Sequence, residues 1–100
     1  MTIERTLNGK EMILRPEGRL DAITAPELKQ LLGETMDSFD SLTLDFAEVE
    51  YISSAGLRVL LTAHTTMAEK GGMKLLHVNE IIMDTLKVTG LANALNVVKD

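Results

Sequence analysis

The chain has 100 residues, of which 45% are apolar, and this predicts a single domain over residues 1–100 with one hydrophobic core. A formal charge of −5 and only three aromatic residues disfavour direct binding of nucleic acid, which requires basic grooves and aromatic platforms. Because there is no cysteine and no apolar run long enough for a membrane span, we expect a cytoplasmic protein without disulfides, metal or cofactor.

The first quarter of the chain predicts a hairpin. Residues 2–7 alternate weakly and favour an edge strand, and Asn8-Gly9 is a strong signal for a two-residue hairpin turn. The second strand is predicted over 11–15 and is expected to end at Pro16, which has no N–H to donate. Residues 18–21 are interpreted as a loop or a short continuation of that strand.

The next segment predicts an amphipathic helix. It should begin at Thr24, because Thr24 and Glu27 have the spacing of a capping box and Pro26 lies in the first turn. Apolar residues at helical spacing predict its buried face, namely Leu28, Leu31, Leu32 and Met36.

The middle of the chain carries its most informative segment. A buried strand over 42–46 is followed by an acidic turn and by small residues, Ser53 to Gly56, that open into a second helix ending near Lys70. The apolar face of this helix is predicted to contain Leu57, Leu60, Leu61, His64 and Ala68. A serine hydroxyl at a helix start can cap free N–H groups, and a phosphate placed there meets the positive end of the helix dipole. Ser53 and Ser54 are therefore interpreted as helix caps or as a site for phosphate, and both interpretations stay open at this point.

The remaining residues complete an alternation of strands and helices. The predicted elements are a stop at Gly71-Gly72, a strand over 74–78, a helix capped by Asn79 and stopped by Gly90, a helical turn over 91–95 and a short strand over 96–98. This order predicts an α/β fold with a mixed β-sheet of four to five strands and helices packed on it.

Catalysis is not predicted. His64 lies ten residues after Ser54, about 15 Å along a helix at 1.5 Å per residue, which is too far to activate the hydroxyl. Ile52 stands where the nucleophile turn of a hydrolase requires glycine. The acidic turn lacks the spaced oxygen ligands of a calcium loop, so we expect neither an enzyme nor a metal site.

The whole chain resembles a STAS domain, and in particular the stand-alone bacterial anti-sigma factor antagonist. The matching blocks occur in family order and comprise Gly18-Arg19-Leu20-Asp21, Thr24-Ala25, Leu44-Asp45-Phe46, the run from Tyr51 to Leu57, Gly71-Gly72 and Thr89-Gly90-Leu91.

The resemblance implies which residues form the site. Ser54 aligns with the family's phosphorylated serine, Ser53 replaces the preceding aspartate and is a minor alternative acceptor, and Ala55 replaces a second hydroxyl residue. Asp21 matches an acidic loop residue near the acceptor, and Arg58 lies one helical turn after Ser54. The partner-binding residues are therefore predicted to be Asp21, Ser53, Ser54, Ala55, Gly56 and Arg58.

The resemblance also implies a mechanism. The unphosphorylated protein would bind an anti-sigma factor with serine kinase activity and so release a sigma factor. Phosphorylation at Ser54 would end the interaction, and a metal-dependent serine phosphatase would restore it. The alternative is a non-switching STAS subunit that assembles a lipid-transport ABC complex. A small nucleotide-binding or regulatory domain of a larger protein is a third, less well supported interpretation.

Overall fold

The computed structural model describes residues 1–98, and its centre is a five-stranded mixed sheet. The strands are β1 (Thr2–Asn8), β2 (Glu11–Leu20), β3 (Ser41–Asp45), β4 (Val49–Ile52) and β5 (Met73–Leu76). The helices are α1 (Ala25–Thr35), α2 (Ser54–Ala68), α3 (Glu80–Val88) and the short α4 (Leu91–Ala94), with a 3-10 turn at Met36–Ser38. The predicted α/β fold class and mixed sheet are confirmed.

The long strand β2 organises the sheet. It pairs antiparallel with β1 through the predicted hairpin. The two turn residues are Gly9 and Lys10 and not Asn8-Gly9, because Asn8 belongs to β1 and pairs with Glu11, and Gly9 has a positive φ of 64°. On its other side β2 pairs in parallel with two strands in succession, first with β3 over 11–14 and then with β4 over 18–20. β5 extends the sheet beyond β3, also in parallel. As a result, β3 and β4 lie end to end along the same side of β2.

The prediction that β2 ends at Pro16 is wrong. Pro16 is buried inside the strand and pairs with Ile3 of β1. The N–H of Gly18 donates to Glu48 O, so alternation along the strand directs the nitrogen of Pro16 toward the same side of β2. On that side, residues 15–17 lie in the interval between the segment paired with β3 and the segment paired with β4. The absence of an N–H at Pro16 therefore costs the sheet no hydrogen bond.

The two faces of the sheet differ in chemistry. On one face, alternate strand residues join helix residues such as Leu28 and Leu60 in a single hydrophobic core, and these strand residues include Met12, Leu14, Leu42, Leu44, Met73 and Leu75. The opposite face, called here the outer face, carries polar side chains that include Glu11, Arg15, Thr43, Asp45 and Lys74. Thr43 and Asp45 are nevertheless buried, at 3% and 4% exposure.

The buried face of α2 differs from its prediction. Leu57 and Leu60 are buried as expected, but Leu61 is 44% exposed, Ala68 is exposed and His64 is half-buried. The buried residues are instead Gly56, Leu57, Val59, Leu60, Ala63 and Met67. This set follows the same helical period rotated by part of a turn, because α2 packs against both the sheet and α1.

The end of the sheet is shorter than predicted. β5 ends at Leu76 because His77, predicted to lie within the strand, has a φ of 58° that a strand does not allow. The terminal strand predicted over 96–98 is reduced to a single bridge between Val97 and Leu75. Asn79 caps α3 as predicted, accepting a hydrogen bond from the Ile82 N–H at 2.8 Å.

Candidate partner-binding site at the start of the second helix

The ends of β2 and β4 lie side by side and carry the two segments of the predicted site. The N–H of Ser53 donates to Leu20 O at 2.9 Å, which fixes the start of α2 beside the loop that begins at Asp21. Ser53 is extended, with φ −99° and ψ 178°, and Ser54 is the first residue of the helix. The predicted residues on either side of this contact are therefore brought to one edge of the sheet.

Gly56 is required for this close approach. A Cβ atom at Gly56 would lie 2.7 Å from the Ile52 side chain and 2.8 Å from Leu20 O, and the second neighbour is backbone that has no free rotation. Glycine therefore lets the first turn of α2 lie directly on the strand ends. Gly56 is itself buried, so within this chain it positions the helix start from below.

The two serine hydroxyls have opposite environments. The Oγ atom of Ser53 is buried and has no hydrogen-bond partner, although Ser53 occupies the N-cap position. Ser54 is exposed. The interpretation of these serines as side-chain caps is wrong, because the helix start has no side-chain cap bond and Ser54 lies inside the first turn. Ser53 as a residue is half-buried and its Oγ atom is fully covered, so Ser54 is the more accessible of the two predicted acceptors.

Asp21 organises the neighbouring loop. Its Oδ1 accepts hydrogen bonds from the N–H groups of Ile23 at 3.0 Å and Thr24 at 3.1 Å. These bonds, that from Thr24 most and that from Ile23 next, hold the pKa of Asp21 below its usual range. The carboxylate is therefore charged at neutral pH.

The capping box predicted at Thr24 and Glu27 does not form. The Thr24 hydroxyl accepts from the Asp21 N–H at 2.9 Å and donates to Arg19 O, so it closes the loop rather than the helix. Glu27 instead pairs with the N-terminal amino group of Met1 at 3.0 Å. An ion pair between residues far apart in the sequence therefore takes the place of the predicted capping hydrogen bond.

Exposed residues that the sequence did not single out surround the two segments. Arg19 lies over the Tyr51 ring, 4.3 Å from its centroid, because the two residues are partners across β2 and β4. Ile23 is 84% exposed at the tip of the Asp21 loop. Since β4 was not predicted, the Arg19–Tyr51 pair could not be found from sequence, whereas an isoleucine in a polar loop was a visible signal.

The remaining predicted residues lie on α2. Arg58 is exposed and has no salt bridge within residues 1–98, and Ala55 is half-buried. An unpaired guanidinium with five donors, one turn from an exposed serine, is available to a carboxylate or phosphate.

A second polar cluster lies on the outer face and is built differently. Asp45 accepts hydrogen bonds from Arg15 Nη2 at 3.0 Å and from the Ala47 N–H at 3.0 Å, and its Oδ1 lies 2.8 Å from His77 Nδ1. Burial raises the pKa of Asp45, but the bonds from His77, Ala47 and Arg15 outweigh burial, so the pKa lies below its usual range.

In the part of the chain that the structure describes, no three acidic or histidine side chains are arranged to hold a metal ion. No helix within residues 1–98 is long and apolar enough to cross a membrane.

The family follows from the whole chain. Residues 2–100 match the family model described as the STAS domain, and the chain therefore belongs to the STAS domain family. This confirms the family that the sequence resembled. Comparison with curated protein sequences gives no match.

Solved structures of the same fold include bacterial proteins. An anti-sigma factor antagonist from Mycobacterium paratuberculosis is 23% identical, with a TM-score of 0.88 over 99% of this chain and 86% of its own. The tm1081 protein of Thermotoga maritima is 21% identical, with a TM-score of 0.89 over 98% of this chain and 86% of its own. The Bacillus cell fate determinant SpoIIAA in its phosphorylated form is 13% identical, with a TM-score of 0.75 over 99% of this chain and 93% of its own. At these identities the likeness establishes the fold.

Proposed function

We propose that this protein is an anti-sigma factor antagonist that acts by binding, not by catalysis. In this proposal it is a single cytoplasmic domain that binds an anti-sigma factor with serine kinase activity through the start of α2 and the Asp21 loop. Phosphorylation of Ser54 ends the binding, and a metal-dependent serine phosphatase restores it. The family and the anti-sigma factor antagonists among the structural neighbours support this role.

The contrast between the two serine hydroxyls carries the choice of acceptor. A kinase must bring its own groups to within bonding distance of the hydroxyl oxygen. The Ser53 Oγ is buried against the protein, whereas Ser54 is exposed on the first turn of the helix. This favours Ser54, and Ala55 supplies no competing hydroxyl.

The same geometry explains how phosphorylation can act without unfolding the domain. A phosphoserine carries a charge of about −1.5 to −2, and at a helix start it meets the positive end of the dipole. The folded state therefore tolerates the group. A partner surface shaped for a neutral hydroxyl must desolvate the same group, which costs several kcal/mol unless a new cation pairs with it.

The test is to map the phosphate. The protein is incubated with ATP and the kinase-type anti-sigma factor encoded beside its gene, and the product is analysed by mass spectrometry. We expect phosphate on Ser54, none in Ser54→Ala, and normal modification of Ser53→Ala. Phosphate on Ser53 alone contradicts the assignment. Absence of phosphate, together with stable binding to ABC-transporter subunits, favours the assembly role instead.

A further inference from the structure

A groove runs along the surface between α1 and α2. The N–H of Ser53 bonds to Leu20 O at the start of the two helices, and the Lys70 ammonium donates to Met36 O at their ends, so the helices run parallel. The groove between them has a volume of about 570 Å³ and is open to solvent on one side. Its apolar lining includes Pro26 and Met36, which keep surface exposed to solvent, and four buried residues of the core, Ala25, Leu32, Val59 and Ala63.

The charges of this groove oppose the charge of the whole chain. The formal net charge is −5, yet the two charged residues that line the groove are both cations, Lys29 on α1 and Arg58 on α2. Neither forms a salt bridge with an acidic side chain in the described part of the chain. The groove therefore combines an apolar floor with cations that lack a carboxylate partner.

The length and lining of the groove fit an α-helix. From Ala55 to Thr66 it extends for eleven residues of α2, about 16 Å at 1.5 Å per residue, which equals three turns of an occupant helix. Gly33 and Ala63 keep side-chain volume low along it, and a Cβ atom at Gly33 would have nothing within 4 Å. Such a groove can accept the apolar face of an amphipathic helix.

We propose that this groove binds an amphipathic, acidic helix of the partner protein, with its apolar face on the groove floor and its carboxylates on Lys29 and Arg58. The inference rests on the proposed function, because it takes the occupant to be a helix of the anti-sigma factor. Continuity supports this choice, since the groove begins at Ala55 and Arg58, directly after Ser54. One partner could therefore cover the phosphorylation site and the groove together.

Filling the groove tests its shape. Gly33→Leu adds a side chain into open space, so it should block the groove while leaving the fold intact. We expect the dissociation constant for the anti-sigma factor, measured by calorimetry, to rise at least tenfold. The matched control is Gln30→Leu, an exposed position on the same helix outside the groove, which should bind normally.

Reversing a charge tests the chemistry of the occupant. Lys29→Glu should weaken binding at least fivefold at low salt, and the loss should shrink as salt screens it. The control Lys87→Glu makes the same change at an exposed position on α3 and should have little effect.

A cross-link identifies the occupant directly. Because the chain contains no cysteine, a single cysteine in Gly33→Cys can carry a photoreactive label, with Gln30→Cys as the control. We expect cross-links from position 33 to a helical, acidic segment of the anti-sigma factor. Normal binding by Gly33→Leu and Lys29→Glu overturns the groove proposal but leaves the proposed function standing. Absence of binding by the unsubstituted chain overturns both proposals. A cross-link to a loop overturns the proposal that the occupant is a helix, and so does a copurified lipid that is lost in Gly33→Leu.

Discussion

The outer-face cluster around Asp45 and the elbow between β4 and α2, defined here as residues Ser53 to Gly56, both lie where strands end. Their polar groups nevertheless differ in how far they are hydrogen-bonded within the chain. Asp45 is 4% exposed and is hydrogen-bonded to Arg15, Ala47 and His77. At the elbow, one hydroxyl is buried without a partner and the other is exposed. The first arrangement stabilises a fold, whereas the second leaves polar groups for another molecule.

The contrast predicts that substitutions in the cluster change folding, whereas substitutions at the exposed residues of the elbow change binding. Gly56 is the exception on the elbow side, because it is buried beneath the exposed residues and should behave as part of the fold. Stability and binding measured on the same variants therefore separate the two regions.

The largest loss of stability is expected for Asp45→Ala. The substitution removes the acceptor of four hydrogen bonds, two of them from Arg15, each worth about 1 kcal/mol or more to a charged group. It should lower the free energy of unfolding by about 2–4 kcal/mol. Urea denaturation measures the change. Asp84→Ala, at an exposed position on α3, is the control and should change little.

The same carboxylate predicts a dependence on pH. Its pKa is lower in the folded state than in the unfolded chain, so its stabilisation is complete above the unfolded value of about 3.9. It is lost as the pH falls through the folded pKa. Denaturation between pH 6 and pH 3 should show this loss in the parent protein and a shallower one in Asp45→Ala. Parallel curves would contradict the role given to Asp45.

Gly56→Ala should come next. The added methyl group meets Leu20 O and the Ile52 side chain at less than 3 Å, and overpacking of this kind costs about 1–3 kcal/mol. Gly33→Ala is a matched control, because it makes the same change in a helix where nothing lies within 4 Å. The control should raise the free energy of unfolding by about 0.5–1 kcal/mol. The two substitutions should therefore change stability in opposite directions.

Ser53→Ala should be neutral or stabilise the protein by up to about 1 kcal/mol. Replacing a serine that caps a helix usually costs about 1 kcal/mol, but the Ser53 hydroxyl makes no cap bond and is buried without a partner. Thermal unfolding distinguishes the two cases. A loss of 1 kcal/mol or more would mean that the hydroxyl has a partner in solution.

Arg58→Ala should have the smallest effect on folding, within about 0.5 kcal/mol, because the side chain is exposed and has no salt bridge among the described residues. Its effect on partner binding should be larger. Loss of one charge-assisted hydrogen bond corresponds to about 1 kcal/mol, or roughly a fivefold rise in the dissociation constant. An unchanged dissociation constant at physiological salt would make Arg58 an ordinary surface residue.

Local signals predicted the elements that depend on a few neighbouring residues. The hairpin at Gly9, the cap at Asn79 and the tight packing at Gly56 all follow from backbone chemistry that is visible in the sequence, although the turn lies one residue later than predicted. Helix-start chemistry singled out Ser53 and Ser54 but left capping and phosphate binding both open, and the family resemblance was needed to predict Ser54 as the acceptor.

Non-local pairing decided the features that the sequence did not predict. Pro16 is tolerated within β2 only because it lies between two parallel partners, and β4 is four residues long in a segment interpreted as a turn. The Thr24 hydroxyl accepts a hydrogen bond from the Asp21 N–H within the loop and therefore does not cap the helix. The groove between α1 and α2 depends on how two helices pack, so neither helix alone predicts it.

The most direct test compares binding of the anti-sigma factor by the unphosphorylated protein and by the protein phosphorylated at Ser54, with thermal unfolding of both. We expect phosphorylation to weaken binding by about 100-fold or more, which corresponds to roughly 3 kcal/mol, while the melting temperature changes little. Ser54→Asp should also weaken binding, by a smaller factor, while changing the melting temperature little. Equal dissociation constants, or a phosphorylated protein that has unfolded, would contradict a switch that acts on the binding surface alone.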